Sequence, residues 1–378
     1  MGKSGFLILS ANSPWTYGMA EAIANEHHTY AVQFYDWRTY HIIHPAWSNR
    51  TPPSLLQRSM PILPSGYAGR LEIFFRDYLQ YLVKKWCKRL MEVSGDHPWV
   101  IAAEPYNASF VRKVPAGKLI YYNFDDYSLY RPAQKDKILE QEQELIERAA
   151  ITICASHFQM MTLRNRHPQK ASNIHHFPHG FVKNYLNPHP DVPPEPMTVG
   201  YVGNLGDRLD WQLIHEVIQT SPNVTFVFVG GLDEQIMIDQ GNWQSIRQKV
   251  LCLSNVRHIG KVSPDKVANY YWTFAVNWIP YVVTHPFNQA SCPTKIMDGI
   301  ASGHPILSTD IPECRLYPDW IKIFDSAQNA ITLIAELLAV SKTSAYDKRL
   351  KQLEHAQKHT WDIRSQTLEK MLWNLTET

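Results

Sequence analysis

The chain is short of cysteine and of net charge. Its five cysteines (Cys87, Cys154, Cys252, Cys292, Cys314) are scattered and form no CxxC pair, which argues against a structural zinc site and for a reducing compartment. The net charge is only +2, so no general affinity for nucleic acid or another polyanion follows. No apolar run reaches the length a membrane-crossing helix needs, and no tandem repeat or low-complexity tract is present. The start, MGKSGFLILSANSPW, holds too short an apolar run for a signal peptide and reads as a first buried strand. Phe6 stands where N-myristoylation needs Ser or Thr. These absences together point to a cytoplasmic protein.

What is present is enough apolar residue for two separate cores. The chain has 378 residues, 44% of them hydrophobic and 19% charged, a globular composition and a length that suits two domains. It is rich in Trp (12) and Tyr (19), side chains that stack on sugars and bases but first of all fill cores.

Two halves repeat one pattern, an apolar strand running into a small-residue turn and a helix. In the first half residues 6–10 lead through ANSPWTYG to MAEAIANE; in the second, residues 198–202 lead through GNLGDRLD to WQLIHEVIQ. Further apolar strands read at 99–103, 118–122 and 151–155, and at 225–229, 256–259, 275–279 and 305–308. Alternation of this kind predicts two doubly wound α/β domains. The proline-rich stretch 183–197 (KNYLNPHPDVPPEPM) reads as a linker between them. The expected organisation is therefore a domain over 1–182, a linker over 183–197, a second domain over 198–358, and a C-terminal helix over 359–378 that packs back on the first domain. Residues 346–375 carry a long helical pattern interrupted at 359–362, and QKDKILEQEQELIERA (134–149) reads as a charged amphipathic helix with a solvated face.

The stretch PTKIMDGIASGHPILSTD (293–310) carries the most chemistry. Thr294, Lys295 and Asp298 share one face of a first helical turn. The free N–H groups and positive dipole end of a helix start, with a lysine, suit a diphosphate, and a carboxylate one turn on suits hydroxyls. A capped surface helix with a Lys–Asp pair reads equally well. The turn Gly203-Asn204-Leu205-Gly206-Asp207-Arg208 lets the backbone approach a phosphate that Arg208 neutralises; a plain strand-to-helix turn needs the same glycines. Gly230 closes another strand, and Gly260 a third, where a base could lie against the backbone or an ordinary turn could stand. In the first half, Asp125 and Asp126 follow an apolar strand; they suit sugar hydroxyls or an acceptor nucleophile, or simply cap the next helix. His175, His176 and His179 read as surface or core histidines rather than a metal site. Residues 69–90 (GRLEIFFRDYLQYLVKKWCKRL) mix aromatics with basic residues, which suits a core-packed helix with a basic outer face and, compatibly with that, an anionic membrane surface.

Taken together, these residues resemble the GT-B-fold glycosyltransferases, retaining family 4, in the subset that makes bacterial exopolysaccharide and teichuronic-type polymers. TVGYVGNLGDRLD (198–210) resembles the opening strand and phosphate loop of that family's donor domain. Residues 275–310 resemble its P-x-K-x-x-E element with the small-residue-Gly-x-P stop. Residues 123–130 and 140–156 with FPHGFV resemble the close of its acceptor domain, and WDIR (361–364) its C-terminal helix. The chain departs from the pattern at Asp298 (usually Glu), at Ala290 (usually Glu, with Asn288 and Gln289 the nearest polar groups) and at His179 (usually Asn).

The resemblance implies an α/β chain of two Rossmann-like domains facing across a cleft, the N-terminal one binding the acceptor and the C-terminal one the nucleotide sugar. It implies catalytic roles for Asp125, Asp126, Arg208 and Lys295. Arg208 and Lys295 would hold the diphosphate, helped by the N–H groups of Gly203, Asn204 and Thr294. The implied donor-binding set is Gly203, Asn204, Leu205, Arg208, Gly230, Gly260, Asn288, Ser291, Thr294, Lys295 and Asp298, with Asp298 on ribose or sugar hydroxyls. No metal and no cofactor are expected: cations and a helix dipole stabilise the leaving UDP or GDP. The expected partners are a nucleotide-sugar donor, a saccharide or lipid-linked saccharide acceptor and, through 69–90, the inner face of a membrane; no nucleic acid. The alternatives are a nucleotide-sugar epimerase on the same fold and a non-catalytic nucleotide-sugar-binding protein.

Overall fold

The structure is a computed structural model, and it describes residues 3–36, 52–62, 72–181, 183–236, 241–340 and 342–376. The chain divides into two compact units. Unit 1 comprises Met1–Gly180 with Trp361–Thr378, and unit 2 comprises Phe181–Thr360.

Among the described residues unit 1 has seven strands: β1 (Gly5–Leu9), β2 (His28–Asp36), β3 (Leu55–Ile62), β4 (Trp99–Ala102), β5 (Leu119–Asn123), β6 (Ile151–Cys154) and β7 (Ile174–His176). All pair in parallel, in the order β3-β2-β1-β4-β5-β6-β7. Strands β1, β4, β5 and β6 are buried at every residue. That is the signature of a parallel sheet covered on both faces, and the reason the strands read as unbroken apolar runs. β2 and β3 carry no such run. β2 buries the polar Thr29 and Gln33 along with its apolar residues, and β3 is an edge strand with Pro61 near its end.

Unit 2 is built on β8 (Glu195–Val202), β9 (Thr225–Val229), β10 (Val256–Gly260), β11 (Phe274–Ile279), β12 (Ile306–Thr309) and β13 (Ile321–Phe324). They form a second parallel sheet in the order β10-β9-β8-β11-β12-β13. In both sheets the strand order reverses beside the first strand of the unit, between β1 and β4 and between β8 and β11. At such switch points the neighbouring loops diverge at the carboxyl edge and leave a crevice for a ligand.

The proline-rich stretch 183–197 belongs to unit 2. It opens with a 3₁₀ turn, Lys183–Tyr185, and β8 begins within it at Glu195. Asn187 ties the middle down: its N–H donates to the Ala301 carbonyl (2.9 Å) and its Nδ2 to the Ser302 carbonyl (3.1 Å). The amphipathic helix Lys135–Arg148 differs from its expected solvated face at Glu142. That carboxylate is buried and accepts from Tyr121 Oη (2.9 Å) and Asn123 Nδ2 (3.0 Å). His179 is a core histidine: buried beside Tyr122 Oη (2.9 Å from Nδ1), it is pushed down to about 3 by burial and by Arg364.

Two helices close the chain, Lys342–Gln357 in unit 2 and Trp361–Thr376 in unit 1. The second packs against the helix Pro14–Glu26 through the Trp361 indole. Gly18 and Gly180 make the room. A Cβ on Gly18 would lie 2.7 Å from Trp361 Cδ1, and one on Gly180 would lie 2.9 Å from the same indole.

Gly18→Ala should therefore lower the stability of the protein, measured by urea unfolding. Helix propensity alone favours Ala over Gly by about 1 kcal/mol; overpacking against the indole costs about 1–3 kcal/mol. Gly18→Ala should become stabilising in a Trp361→Ala background. A stabilised single variant would show that the contact is not tight.

Candidate functional site

At the carboxyl edge of unit 2, three loops are stitched together by backbone bonds. Gly203 N–H donates to the Val229 carbonyl (2.8 Å), Leu205 N–H to Gly231 (2.9 Å) and Gly230 N–H to Gly260 (2.9 Å). Gly230 and Gly203 both have positive φ, +152° and +148°. A Cβ on Gly230 would sit 1.9 Å from the Gly203 carbonyl oxygen, so this glycine permits contact between loops. The Gly203 N–H, expected on a phosphate, is taken by Val229. Leu205 is fully buried in the core of unit 2 and offers neither its side chain nor its N–H to a ligand. Both residues hold the loop in shape, because a loop packed this tightly must satisfy its own amides. At the start of the helix Thr294–Ser302 Ile296 N–H donates to the Pro293 carbonyl (3.0 Å), while Thr294 and Lys295 stand at the two positions before it, where helix geometry supplies no intrahelical acceptor.

The switch point of unit 2 brings the two expected cations together. The loops after β8 and β11 are laced by Asp210 N–H to the Pro280 carbonyl (2.9 Å) and Val282 N–H to the Arg208 carbonyl (3.0 Å). The Arg208 guanidinium lies over the Tyr281 ring, Cζ 5.0 Å from its centroid. Lys295 Nζ lies 5.6 Å from the same ring and 5.3 Å from that of Tyr201. The cations can be no farther apart than their two distances to Tyr281 combined. Gly203 lets the lysine in: a Cβ there would be 2.8 Å from both Cε and Nζ of Lys295.

Neutral groups help to aim Arg208. Its Nε donates to Asn288 Oδ1 (2.8 Å) and its Nη2 to Ser291 Oγ (3.0 Å). Asn288 Nδ2 in turn donates to the Arg208 and Val282 carbonyls, both at 2.9 Å. The local field is strongly positive. Burial raises the Tyr281 phenol, yet Lys295 and Arg208 outweigh burial and leave it below its ordinary range, while burial holds Tyr201 well above. Two cations sharing one aromatic ring repel each other, and a doubly charged anion between them removes that cost. Asp298 follows one turn after Thr294. Burial pushes its carboxyl up to about 7, against the lowering pull of Lys295 and a bond from Thr294. Gly230 and Gly260 sit at the same sheet edge as Gly203, and Asn204 follows Gly203 in its loop, its carbonyl accepting from Tyr201 Oη (3.1 Å).

Unit 1 has its own crevice, a cavity of about 560 Å³ at the carboxyl ends of β1 to β5. Asn12 and Ser13 enter it after β1, Glu104 after β4 and Asp125 after β5. The adjacent carboxylates separate here. Asp126 caps the short helix Tyr127–Tyr130, accepting from Ser128 N–H (3.0 Å) and Ser128 Oγ (2.6 Å), whereas Asp125 lines the cavity with Tyr130 Oη donating to it. Glu104 stands at the switch point itself. Burial pushes it up to about 7, opposed by bonds from Ser10 and Tyr127 and by the Arg131 charge. Ser10 has φ +58°, a left-handed backbone that is strained for a serine, and Asn107 Nδ2 braces its hydroxyl at 3.0 Å.

Sequence reasoning missed Glu104, Tyr201 and Tyr281. Tyr201 sits at the end of β8 and Tyr281 just beyond β11, both in apolar surroundings with nothing to mark them from core residues. Glu104 carries a faint signal, a carboxylate directly after an all-apolar strand. Among the described residues no cluster of His, Cys, Asp and Glu could hold a metal ion, and no helix is long and apolar enough to cross a membrane.

No family model matches the chain. A curated relative, the putative teichuronic acid biosynthesis glycosyltransferase TuaH of Bacillus subtilis, is 25% identical over 182 residues. The match covers 46% of this chain and 44% of that protein, so less than half the relative is spanned. Solved structures match over nearly the whole chain. Sucrose-phosphate synthase from Thermosynechococcus elongatus superposes with a TM-score of 0.71 at 16% identity, covering 99% of this chain and 100% of its own. The Anabaena HepE protein in complex with UDP and glucose superposes with a TM-score of 0.64 at 14% identity, covering 98% and 100%. Two parallel-sheet units, each with its switch point, and this likeness along the whole chain identify the fold as GT-B.

Proposed function

We propose that the protein is a glycosyltransferase that moves a sugar from a nucleotide diphosphate sugar, UDP- or GDP-linked, to a polysaccharide or lipid-linked saccharide. The reading rests on one observation: Arg208 and Lys295, remote in sequence, flank the single ring of Tyr281 at the switch point of unit 2. The UDP held by HepE and the name of the Bacillus subtilis relative support a nucleotide-sugar donor and a saccharide polymer.

Bond breaking at the anomeric carbon leaves negative charge on the departing diphosphate. The Arg208 guanidinium, presented rigidly by Asn288 and Ser291, and the Lys295 ammonium balance that charge, with the Thr294 N–H and the helix start adding to the field. Preset cations need no rearrangement as the charge develops, so neither a metal ion nor a cofactor is required. Asp298 accepts from ribose or sugar hydroxyls once ionised. The acceptor binds in unit 1. In a retaining course its hydroxyl attacks the face that the leaving group vacates, and the leaving phosphate takes its proton.

The protein also sits on the inner membrane face through the helix Glu72–Ser94, which covers most of 69–90; residues 69–71 lie outside the described residues. Lys84, Lys85 and Lys88 are exposed on it, as are Tyr78 (51%) and Tyr81 (59%), cations and aromatics of the kind that favour an anionic interface.

These assignments predict three outcomes. Arg208→Ala and Lys295→Ala should each lower kcat/KM for nucleotide-sugar turnover by about 10²-fold or more at unchanged melting temperature; losses within threefold would refute the diphosphate role. Affinity for UDP-glucose or GDP-mannose, measured by calorimetry, should rise as pH climbs through about 7, where Asp298 becomes a hydroxyl acceptor, and Asp298→Asn should flatten that rise. Identical profiles would remove Asp298 from the donor site. Finally, the protein should sediment with phosphatidylglycerol vesicles and not with phosphatidylcholine. Reversing Lys84, Lys85 and Lys88 to Glu should weaken this by about tenfold or more, and equal binding to both vesicles would rule the surface out.

A further inference from the structure

The two neutral groups that help to aim Arg208 come from one short segment, and a buried histidine holds that segment. Asn288 lies inside the helix Pro286–Ala290, and Ser291 closes it, its N–H donating to the Phe287 carbonyl (2.9 Å). His285 stands just before the helix and serves its first turn twice. The ring nitrogen Nδ1 accepts from Phe287 N–H (3.2 Å), and the His285 carbonyl accepts from Asn288 N–H (2.9 Å) and Gln289 N–H (3.1 Å). The other ring nitrogen, Nε2, meets the loop after β8, where it lies 3.7 Å from Asp207 Oδ2. Both side chains are buried, and Asp207 directly precedes Arg208. One imidazole therefore touches the helix that presents Asn288 and Ser291 and the loop that carries the guanidinium they aim.

Those two contacts fix the state of the ring. A neutral imidazole has one N–H and one accepting nitrogen. Only a nitrogen without a proton accepts a backbone N–H, so the proton belongs on Nε2, facing the oxygen of Asp207. That separation is too long for a hydrogen bond, but an N–H dipole and a carboxyl oxygen still attract each other across it in a dry interior. A second proton would set Nδ1–H against the Phe287 N–H and strip the first turn of its cap. Burial, opposed by Asp207 and assisted by the Arg208 charge, holds the ring below its ordinary range. Resting on the reading of Arg208 as a diphosphate cation, we infer that His285 is a positioning residue of the donor site: a neutral imidazole with its proton on Nε2 that ties the helix Pro286–Ala290 to the loop after β8 and so fixes the aim of the guanidinium. It touches no substrate and acts through Arg208. Serine or asparagine would cap the same turn; histidine adds a second nitrogen that meets the neighbouring loop.

Calorimetry on the full chain tests this, with UDP or GDP, whichever binds the wild type more tightly. His285→Ala should weaken nucleotide binding by about tenfold. His285→Asn, which still accepts from Phe287 N–H, should recover to within about threefold of the wild type. Because the histidine acts through the guanidinium, His285→Ala added to Arg208→Ala should cost less than about a further twofold. The ring itself gives a second readout, usable should His285→Ala fail to fold. In a chain carrying ¹⁵N-labelled histidine, the ring signals that vanish in His285→Asn should be those of a neutral imidazole with its proton on Nε2 at neutral pH. A ring protonated at Nδ1 or at both nitrogens, an alanine variant that binds as the wild type does, an asparagine variant no better than alanine, or a full additional loss in the Arg208→Ala background overturns the inference. Arg208→Ala by itself keeps the two ideas apart. Binding unaffected by it, or no binding of either nucleotide to the wild type, defeats the donor reading; a strong loss there with none at His285→Ala defeats this inference alone.

Discussion

The packing of Lys295 against the bare Cα of Gly203 is the contact on which the cation pair of unit 2 depends. Any side chain at Gly203 would occupy the volume of the ammonium. The ammonium would then leave Tyr201 and Tyr281, and with it the positive field that Arg208 shares. The constraint runs further back, because the Gly203 carbonyl is itself seated where a Cβ on Gly230 would be. Two glycines at positive φ, on neighbouring strand ends, thus set the depth at which a cation can sit.

Around that contact the protein spends neutral groups on aiming charge. Asn288 and Ser291 are neutral groups that orient the guanidinium, and phenol rings lie beneath both cations. Asp298, the acid close at hand, is set back and pushed up to about 7, so it opposes the cations only weakly at neutral pH. Unit 1 inverts the logic at its own switch point. There a carboxyl, Glu104, is braced by a strained Ser10 and surrounded by aromatic rings. The same sheet topology therefore carries a pair of cations at one switch point and a buried carboxyl at the other.

Much of the fold was legible in the chain. Buried parallel strands must be apolar on both faces, so β1, β4, β5 and β6 announce themselves as unbroken runs, as do β9 and the end of β8. Edge strands and strands with buried amides, such as β3 and β2, carry no such mark. Arg208, Thr294, Lys295 and Asp298 were legible as candidates because helix starts, glycine turns and charges have local signatures. Tyr201, Tyr281 and Glu104 were not. A tyrosine under a cation and a tyrosine in a core look alike in one dimension, and a carboxylate's meaning depends on what is buried around it.

The sequence by itself determined the alternation of strands and helices, the two-unit parallel architecture and a small set of candidate site residues, since each follows from short-range pattern and residue chemistry. Only the tertiary structure decided which of those residues meet. Arg208 and Lys295 are separated by β9, β10 and β11, and they share Tyr281 because the sheet places β11 beside β8. It also decided that the Gly203 N–H serves a neighbouring loop, that Asp126 is a cap while Asp125 faces a cavity, and that Glu104 ionises near neutrality. Each of these turns on distance through space and on exclusion of water, quantities that chain order does not contain.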